Sequence, residues 1–467
     1  VQTLSSGHDS GLVLAPFRGV RYDPDRVSGL ANVTSPPYDV IGSGTLDELY
    51  AAEPHNIVRL ILPGLGLDAV AGEAGSPVPA STEPTTAANG LAASRLRDWL
   101  AAGVLATDPE PALYIYEQNG PGWLQRGLIG LVAVGSPDSA GVLPHEGVMP
   151  GPVTGRRKLM LATQANLEPI FLVYNGAADG ELTASGLVRH AASHRPPLAT
   201  AMTADGVTHR LWRLTDPAEH ATVAADLAGR TALIADGHHR YAAYRELRDL
   251  MRGDGHGAGP WDYGLAFLVD ADAYPPRLGA IHRVIPQLAP DDAARQAAGA
   301  FTVEEIPADG TGSTPVGAEG AYAAGVPAGM AEAMCRLADA GRQGTAFLLA
   351  GRSGFRLLTQ PDHGQLRAAM PSGASARWQA LDASVMQELL MARLWSIKDN
   401  ERDVLISHDA GEAVRMALEA AGTAVICNPV PFAAVKEVAE HGERVPRKST
   451  SFGPKPRTGL VLRTWEP

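Results

Sequence analysis

The sequence predicts an α/β protein with a mixed sheet in a central domain and flanking α/β lobes on either side, and three observations predict it. Short apolar runs of strand length alternate with amphipathic stretches of helical period along most of the chain. The pattern restarts near residue 290. At 467 residues, 45% of them hydrophobic, there is material for two or three cores. The expected divisions are residues 12–120, 121–290 and 291–467.

Taken in order, residues 12–22 read as a strand or extended segment, followed by Val-Thr-Ser-Pro-Pro-Tyr-Asp-Val-Ile at 33–41. The Pro36-Pro37 pair forces extended geometry, which either presents Tyr38 and Asp39 to a pocket or makes a rigid connector. Residues 45–52 look helical, and Asn-Ile-Val-Arg-Leu-Ile-Leu-Pro at 56–63 reads as a strand with Arg59 as a paired structural cation. Residues 64–90 lack any durable period and read as a surface excursion. An amphipathic helix over 92–102 is stopped by Gly103.

Strands are expected at 112–117 and 127–134, then a proline-bracketed loop, Leu-Pro-His-Glu-Gly-Val-Met-Pro at 143–150, carrying His145 and Glu146. Glu146 is either a general base near a substrate hydroxyl or a solvated loop acid. A helix follows over 154–166, opened by three consecutive cations, then strands at 166–174 and 207–214 and a helix at 217–228. Residues 264–270 form a buried strand with 278–285 as its expected neighbour, from which His282 and Arg283 would reach the same site.

Beyond 290, a Gly-rich insert spans 308–329. Helices are expected at 381–394, capped by Asp382 or Ser384, and at 410–421, with a strand at 424–428 and a last helix between Pro431 and Gly442. The closing loop from 445 mixes Lys448, Lys455 and Arg457 with Ser449 and Thr450, and either neutralises an anion or is a solvated basic turn.

The chemistry concentrates at 231–247, Thr-Ala-Leu-Ile-Ala-Asp-Gly-His-His-Arg-Tyr-Ala-Ala-Tyr-Arg-Glu-Leu. An apolar strand meets Asp236-Gly237 turn chemistry, and Tyr241, Tyr244 and Leu247 then recur at helical spacing. Polar side chains at a helix start sit where backbone N–H groups are unpaired and the macrodipole is positive. His238, His239 and Arg240 add donors there, so the stretch is expected to bind phosphate; the bland alternative is a surface turn.

Composition narrows the classes. A formal charge of −12 argues against broad nucleic-acid binding, which draws on surplus Lys and Arg. Cys335 and Cys427 stand far apart without His ligand spacing, so neither a disulfide framework nor a structural zinc is expected. No run reaches membrane-spanning length and the opening residues lack a signal-peptide pattern, so a cytoplasmic chain without a membrane partner is expected.

Two resemblances rest on these motifs. The succession Pro-Phe-Arg, Pro-Pro-Tyr-Asp-Val-Ile, Pro-His-Glu, Ala-Asn with Pro-Ile-Phe-Leu, Asp-Gly-His-His-Arg-Tyr and Lys-Ser-Thr resembles a bacterial family filed as a conserved domain of unknown function. Over roughly 125–285, the Pro-His-Glu loop and the later Asp-Gly-His-His-Arg are similar to free L-serine kinases of the ParB/sulfiredoxin superfamily. Sulfiredoxin has a catalytic cysteine in its turn where this chain has His238, which removes sulfinic-acid repair.

The second resemblance implies a ParB/sulfiredoxin-like, mixed-sheet central domain and a kinase using ATP or ADP with Mg2+, forming O-phospho-L-serine from free L-serine. It implies Glu146, Asp236 and His239 as catalytic residues and Asp236 as the magnesium or turn-stabilising carboxylate. Gly237, His238, His239 and Arg240 would then hold nucleotide phosphates; from the residues themselves Lys448, Ser449 and Thr450 are expected to join them, and His145, Arg283, Tyr38, Asp39 and Asn166 to face a small polar metabolite. Arg283, Lys448 or Arg59 would take a substrate carboxylate. The alternative is a ParB-like switch that binds CTP without turning over a metabolite.

Overall fold

The runs that are apolar on every side become central strands. In the computed structural model, which describes residues 11–65, 85–135, 141–176, 180, 182–306, 329–400 and 402–465, nine strands form one mixed sheet. In chain order they are β1 (Leu14–Ala15), β2 (Leu113–Gly120), β3 (Trp123–Ala133), β4 (Val142–Leu143), β5 (Ile170–Tyr174), β6 (Ala199–Met202), β7 (Thr208–Leu214), β8 (Ala232–Asp236) and β9 (Tyr263–Asp270). Their order across the sheet is β4-β8-β5-β9-β3-β2-β7-β6, with β1 on β3. β8 runs parallel to β4 and antiparallel to β5, and β9 is parallel to β5. Every residue of β5 and β8 is buried, as a strand covered on both faces requires.

Two helices matter for the site. α1 (Pro150–Thr163) begins on a proline, whose missing N–H costs nothing in a first turn. α2 (His238–Gly253) packs beside it and buries one stripe, including Tyr241, Tyr244 and Leu247. A Cβ on Gly264 of β9 would lie 2.2 Å from the Tyr244 ring, so that glycine lets the helix close onto the sheet.

By its contacts the chain divides into two units, Val1–Pro276 with Pro454–Pro467, and Arg277–Gly453. The segments expected as separate lobes at 12–120 and 121–290 thus contribute strands to one sheet. In the second unit, β10 (His282–Ile285), β11 (Thr302–Ile306), β12 (Ala346–Gly351), β13 (Gly354–Thr359), β14 (Leu405–Ser407) and β15 (Thr423–Cys427) make a six-stranded sheet, order β11-β13-β12-β15-β10-β14. Its faces alternate with period two: Phe347 and Leu349 enter one core, Ala346, Leu348 and Ala350 the other.

Three expectations are corrected. Residues 56–63 are not a strand: Val58–Ile61 is a short helix whose Val58, Leu60 and Ile61 are buried, and a run without period fits either state. Arg59 is nonetheless a structural cation, donating to the Tyr50 carbonyl and stacking on its ring. The strand expected beside β9 at 278–285 lies in the other unit, where β10 pairs with β14 and β15. The helix at 381–394 starts without a side-chain cap and continues as a π-helix over Val385–Leu394, with Asp382 half-buried and its pKa pushed up to about 6 by desolvation.

The opening residues, most of the excursion at 64–90 and nearly all of the insert at 308–329 lie outside the described residues. Among the described residues no helix is long and apolar enough to cross a membrane, and Cys335 and Cys427 are free thiols.

Candidate functional site

The site grows from the end of β8. Its register against β5 shifts between Ile234 and Asp236, a bulge of the kind that re-aims a side chain. The next residue, Gly237, has φ +95°, and a Cβ there would meet Ile170 and the Arg240 guanidinium at about 3 Å. This left-handed residue turns the chain into α2, whose start carries no side-chain cap.

The loop at 144–149 folds against that helix start. The His145 N–H donates to His238 Nε2 at 3.3 Å across 93 positions of sequence, and the Met149 N–H donates to His239 Nε2 at 3.1 Å. A ring nitrogen that accepts an amide proton belongs to a neutral imidazole, so each ring carries its own proton on Nδ1. His238 Nδ1 lies 3.9 Å from Glu146 Oε2, and the His145 and His238 rings meet edge to face at 4.6 Å. Glu146 is a quarter exposed, whereas His145 is fully buried. Burial, reinforced by the charge of His238 when protonated, pushes the His145 pKa down to about 3.

A second cluster lies next to it in the same unit. Arg240 Nη2 donates to Asp236 Oδ2 at 2.5 Å and its Nη1 to the Pro169 carbonyl at 2.5 Å. Lys455 Nζ is 2.5 Å from Asp236 Oδ1 and 3.2 Å from Asp39 Oδ2. The Tyr38 ring lies under Arg156 at 4.2 Å and near Arg240 at 6.0 Å, and its N–H donates to Glu168 Oε1. Arg156 is 3.7 Å from Glu168. Desolvation raises the Asp236 carboxyl above its usual range, with the nearby charge of Asp39 adding to it. Desolvation also raises Glu168, against the pull of Arg240 and Arg156. For Lys455 burial works the other way, but Asp236 and Asp39 outweigh it and hold the ammonium above the ordinary lysine value. A cavity of about 20 Å³ between Arg156, Glu168, Arg240 and Leu159 has room for a water molecule.

The structure therefore brings together Glu146, His145, Asp236, Gly237, His238, His239 and Arg240, with Tyr38 and Asp39 beside them. Arg240, expected to bind phosphate, is buried and turned inward onto Asp236 and Pro169. Asn166 is buried too, accepting from Arg463 Nη1 at 3.0 Å. Arg283, Lys448, Ser449 and Thr450 belong to the second unit. There Arg283 donates to the Arg447 carbonyl and pairs with Asp399, and the Ser449 hydroxyl donates to the Pro446 carbonyl.

Magnesium fits Asp236 poorly, because both carboxylate oxygens already face cations. Among the described residues, no group of three or more His, Cys, Asp or Glu is placed to hold a metal. Sequence reasoning missed Glu168 and Arg156 and gave Lys455 no specific partner. Glu168 had a signal, a lone acid ahead of the apolar run at 170–174.

Comparisons with known proteins add the following. A free serine kinase mutant in complex with AMP is 11% identical, covers 71% of this chain and 91% of its own, and has a TM-score of 0.34. SbnI with C-terminal truncation from Staphylococcus aureus gives 10%, 71%, 85% and 0.33. A conserved hypothetical protein from Pyrococcus furiosus gives 12%, 70%, 90% and 0.30. No curated protein matches. One family model, described as "Protein of unknown function (DUF1015)", matches residues 14–384.

Proposed function

The chain belongs to the DUF1015 family of proteins of unknown function, and from its site we propose that it is a nucleotide-dependent kinase of a small hydroxylated metabolite, free L-serine first among the acceptors. The observation that carries this reading is Glu146, a partly exposed carboxylate held 3.9 Å from His238 Nδ1 at the start of α2. A phosphate drawn to that helix start would lie within reach of the carboxylate. The pairing of the Pro-His-Glu loop with the later Asp-Gly-His-His-Arg, which resembles the serine kinases, supports it as well, and with it a ParB/sulfiredoxin-like arrangement of the first unit.

The chemistry follows from the residues. Glu146 takes the proton of the acceptor hydroxyl as its oxygen bonds to the terminal phosphorus of ATP or ADP, while the bond to the departing nucleotide oxygen breaks. The Nδ1–H of His238 faces the carboxylate and sets its direction. Because their Nε2 atoms accept backbone amides, His238 and His239 act on an anion only through Nδ1–H, and their first service is to dock the loop. Proximity does the rest, since phosphoryl transfer asks mainly for an aligned nucleophile and stabilised charge.

The test is to incubate the purified chain with ATP or ADP and L-serine, with and without Mg2+, and to measure O-phosphoserine. Glu146→Gln is expected to lower turnover by about 100-fold or more while nucleotide still binds. Retained turnover in that variant removes Glu146 from the base role. A nucleotide panel showing CTP preference and no acceptor-dependent turnover would replace the kinase with the switch.

A further inference from the structure

We propose that Lys455 is a built-in cation on the Asp39–Asp236 carboxylate pair, standing where a divalent ion would otherwise be held, and that its remaining N–H contacts the anionic group of a ligand at the start of α2. The anion contact rests on the phosphoryl-transfer reading above; the role on the carboxylate pair does not.

Two carboxylates that converge from positions 39 and 236 onto one point are the protein contribution typical of a magnesium or manganese site, which usually adds waters and phosphate oxygens to one or two carboxylates. Here that point is Lys455 Nζ, 2.5 Å from Asp236 Oδ1 and 3.2 Å from Asp39 Oδ2. Arg240 takes the other oxygen of Asp236. A divalent ion at the same place would have to displace the ammonium, because Lys455 Nζ already occupies the point that both oxygens face and a second cation there would be repelled.

The lysine is delivered by a stiff support. It lies between Pro454 and Pro456, which hold the backbone extended. Two residues on, Arg457 donates through Nε to Thr34 Oγ1 at 2.7 Å and through Nη2 to the Thr34 carbonyl at 2.9 Å. Thr458 and Ser35 exchange backbone hydrogen bonds. The segment is thereby fixed to residues 34–35, just ahead of Pro36-Pro37 and Asp39, so the separation of Lys455 from Asp39 is set by the fold.

An ammonium has three donors and the two carboxylates use two. The Lys455 side chain is a quarter exposed, which leaves the third donor open to a ligand, and Asp236 ends the strand that leads directly into Gly237 and α2. Without the lysine, the carboxylate of Asp236 would repel a phosphate there; with it, the approach is neutralised. Lys455 is thus a ligand-contacting residue and a guard against divalent cations at the same carboxylates.

The experiment measures Mn2+ binding to the 467-residue chain without nucleotide, by electron paramagnetic resonance. The wild type is expected to show no saturable site, Lys455→Met to gain one at least about 10-fold tighter, and Lys455→Met/Asp39→Asn to lose it again. Mn2+ that binds the wild type and is lost in Asp39→Asn overturns the proposal, as does a folded Lys455→Met that gains no site. Should Lys455→Met not fold, the wild type against Asp39→Asn decides alone, absence of a site in both supporting the proposal. In parallel, ADP binding in EDTA is expected to weaken at least about 10-fold in Lys455→Met. Unchanged ADP affinity overturns the anion contact, whereas no ADP binding by the wild type, with or without Mg2+, overturns the kinase reading and leaves the Mn2+ result to judge the cation role.

Discussion

His145 ties the loop to the helix start and is buried, with its pKa pushed down to about 3. In the unfolded chain the same imidazole titrates near its ordinary value of about 6.5. Between those two values the unfolded state holds a proton that the folded state refuses, so stability is full above about pH 6.5 and is lost as the pH falls toward 3. At pH 5 the loss from this one group is about 2 kcal/mol. Melting curves between pH 7 and 4.5 should therefore fall more steeply for the wild type than for His145→Gln; equal slopes would show that this histidine does not titrate as its burial requires. Asp236 is the second sensitive residue. Replacing it with alanine takes from buried Arg240 the carboxylate its Nη2 donates to and from Lys455 its nearer partner, and chemical denaturation should report a loss of about 3–5 kcal/mol.

At the scale of the element, the turn from β8 into α2 depends on Gly237. Gly237→Ala places a Cβ in a left-handed backbone and about 3 Å from Ile170 and Arg240, which should cost about 1–2 kcal/mol and misdirect His238. Urea titration reads the first effect, and a weakened nucleotide affinity the second; an alanine variant equal to wild type in both would leave this geometry without consequence. This strand, turn and helix were legible in the sequence because an apolar run, a glycine and a 3.6-residue period follow one another at 232–247. Val58–Ile61 was not, because a short segment buried all round has no period to read. For the site, the approach of Glu146 to His238 came from the resemblance, not from spacing. The bond from Lys455 to Asp39 spans 416 positions, and nothing local encodes such a pairing.

Across the whole molecule, the first unit is assembled from residues 1–276 and 454–467, with the second inserted between them. Its last segment is woven into the fold: Arg463 donates to Asn166 Oδ1 and to the carbonyls of Tyr263 and Pro260, and residues 463–464 pair with 165–166. A chain truncated after Gly453 should keep hydrogen-exchange protection in the six-stranded sheet of the second unit and lose it around Asn166 and the start of β9. Unchanged protection at Asn166 would mean that the tail is a passenger.

That woven segment has a consequence for biosynthesis. While the ribosome is still reading out the second unit, the earlier sheet has neither Lys455 against Asp236 nor Arg463 against Asn166. Any nascent chain that stalls before those codons carries the loop and helix start but leaves Asp236 with Arg240 and without its lysine, and Asp39 without Lys455, so the charge balance of this carboxylate pair is set after the second unit has been made.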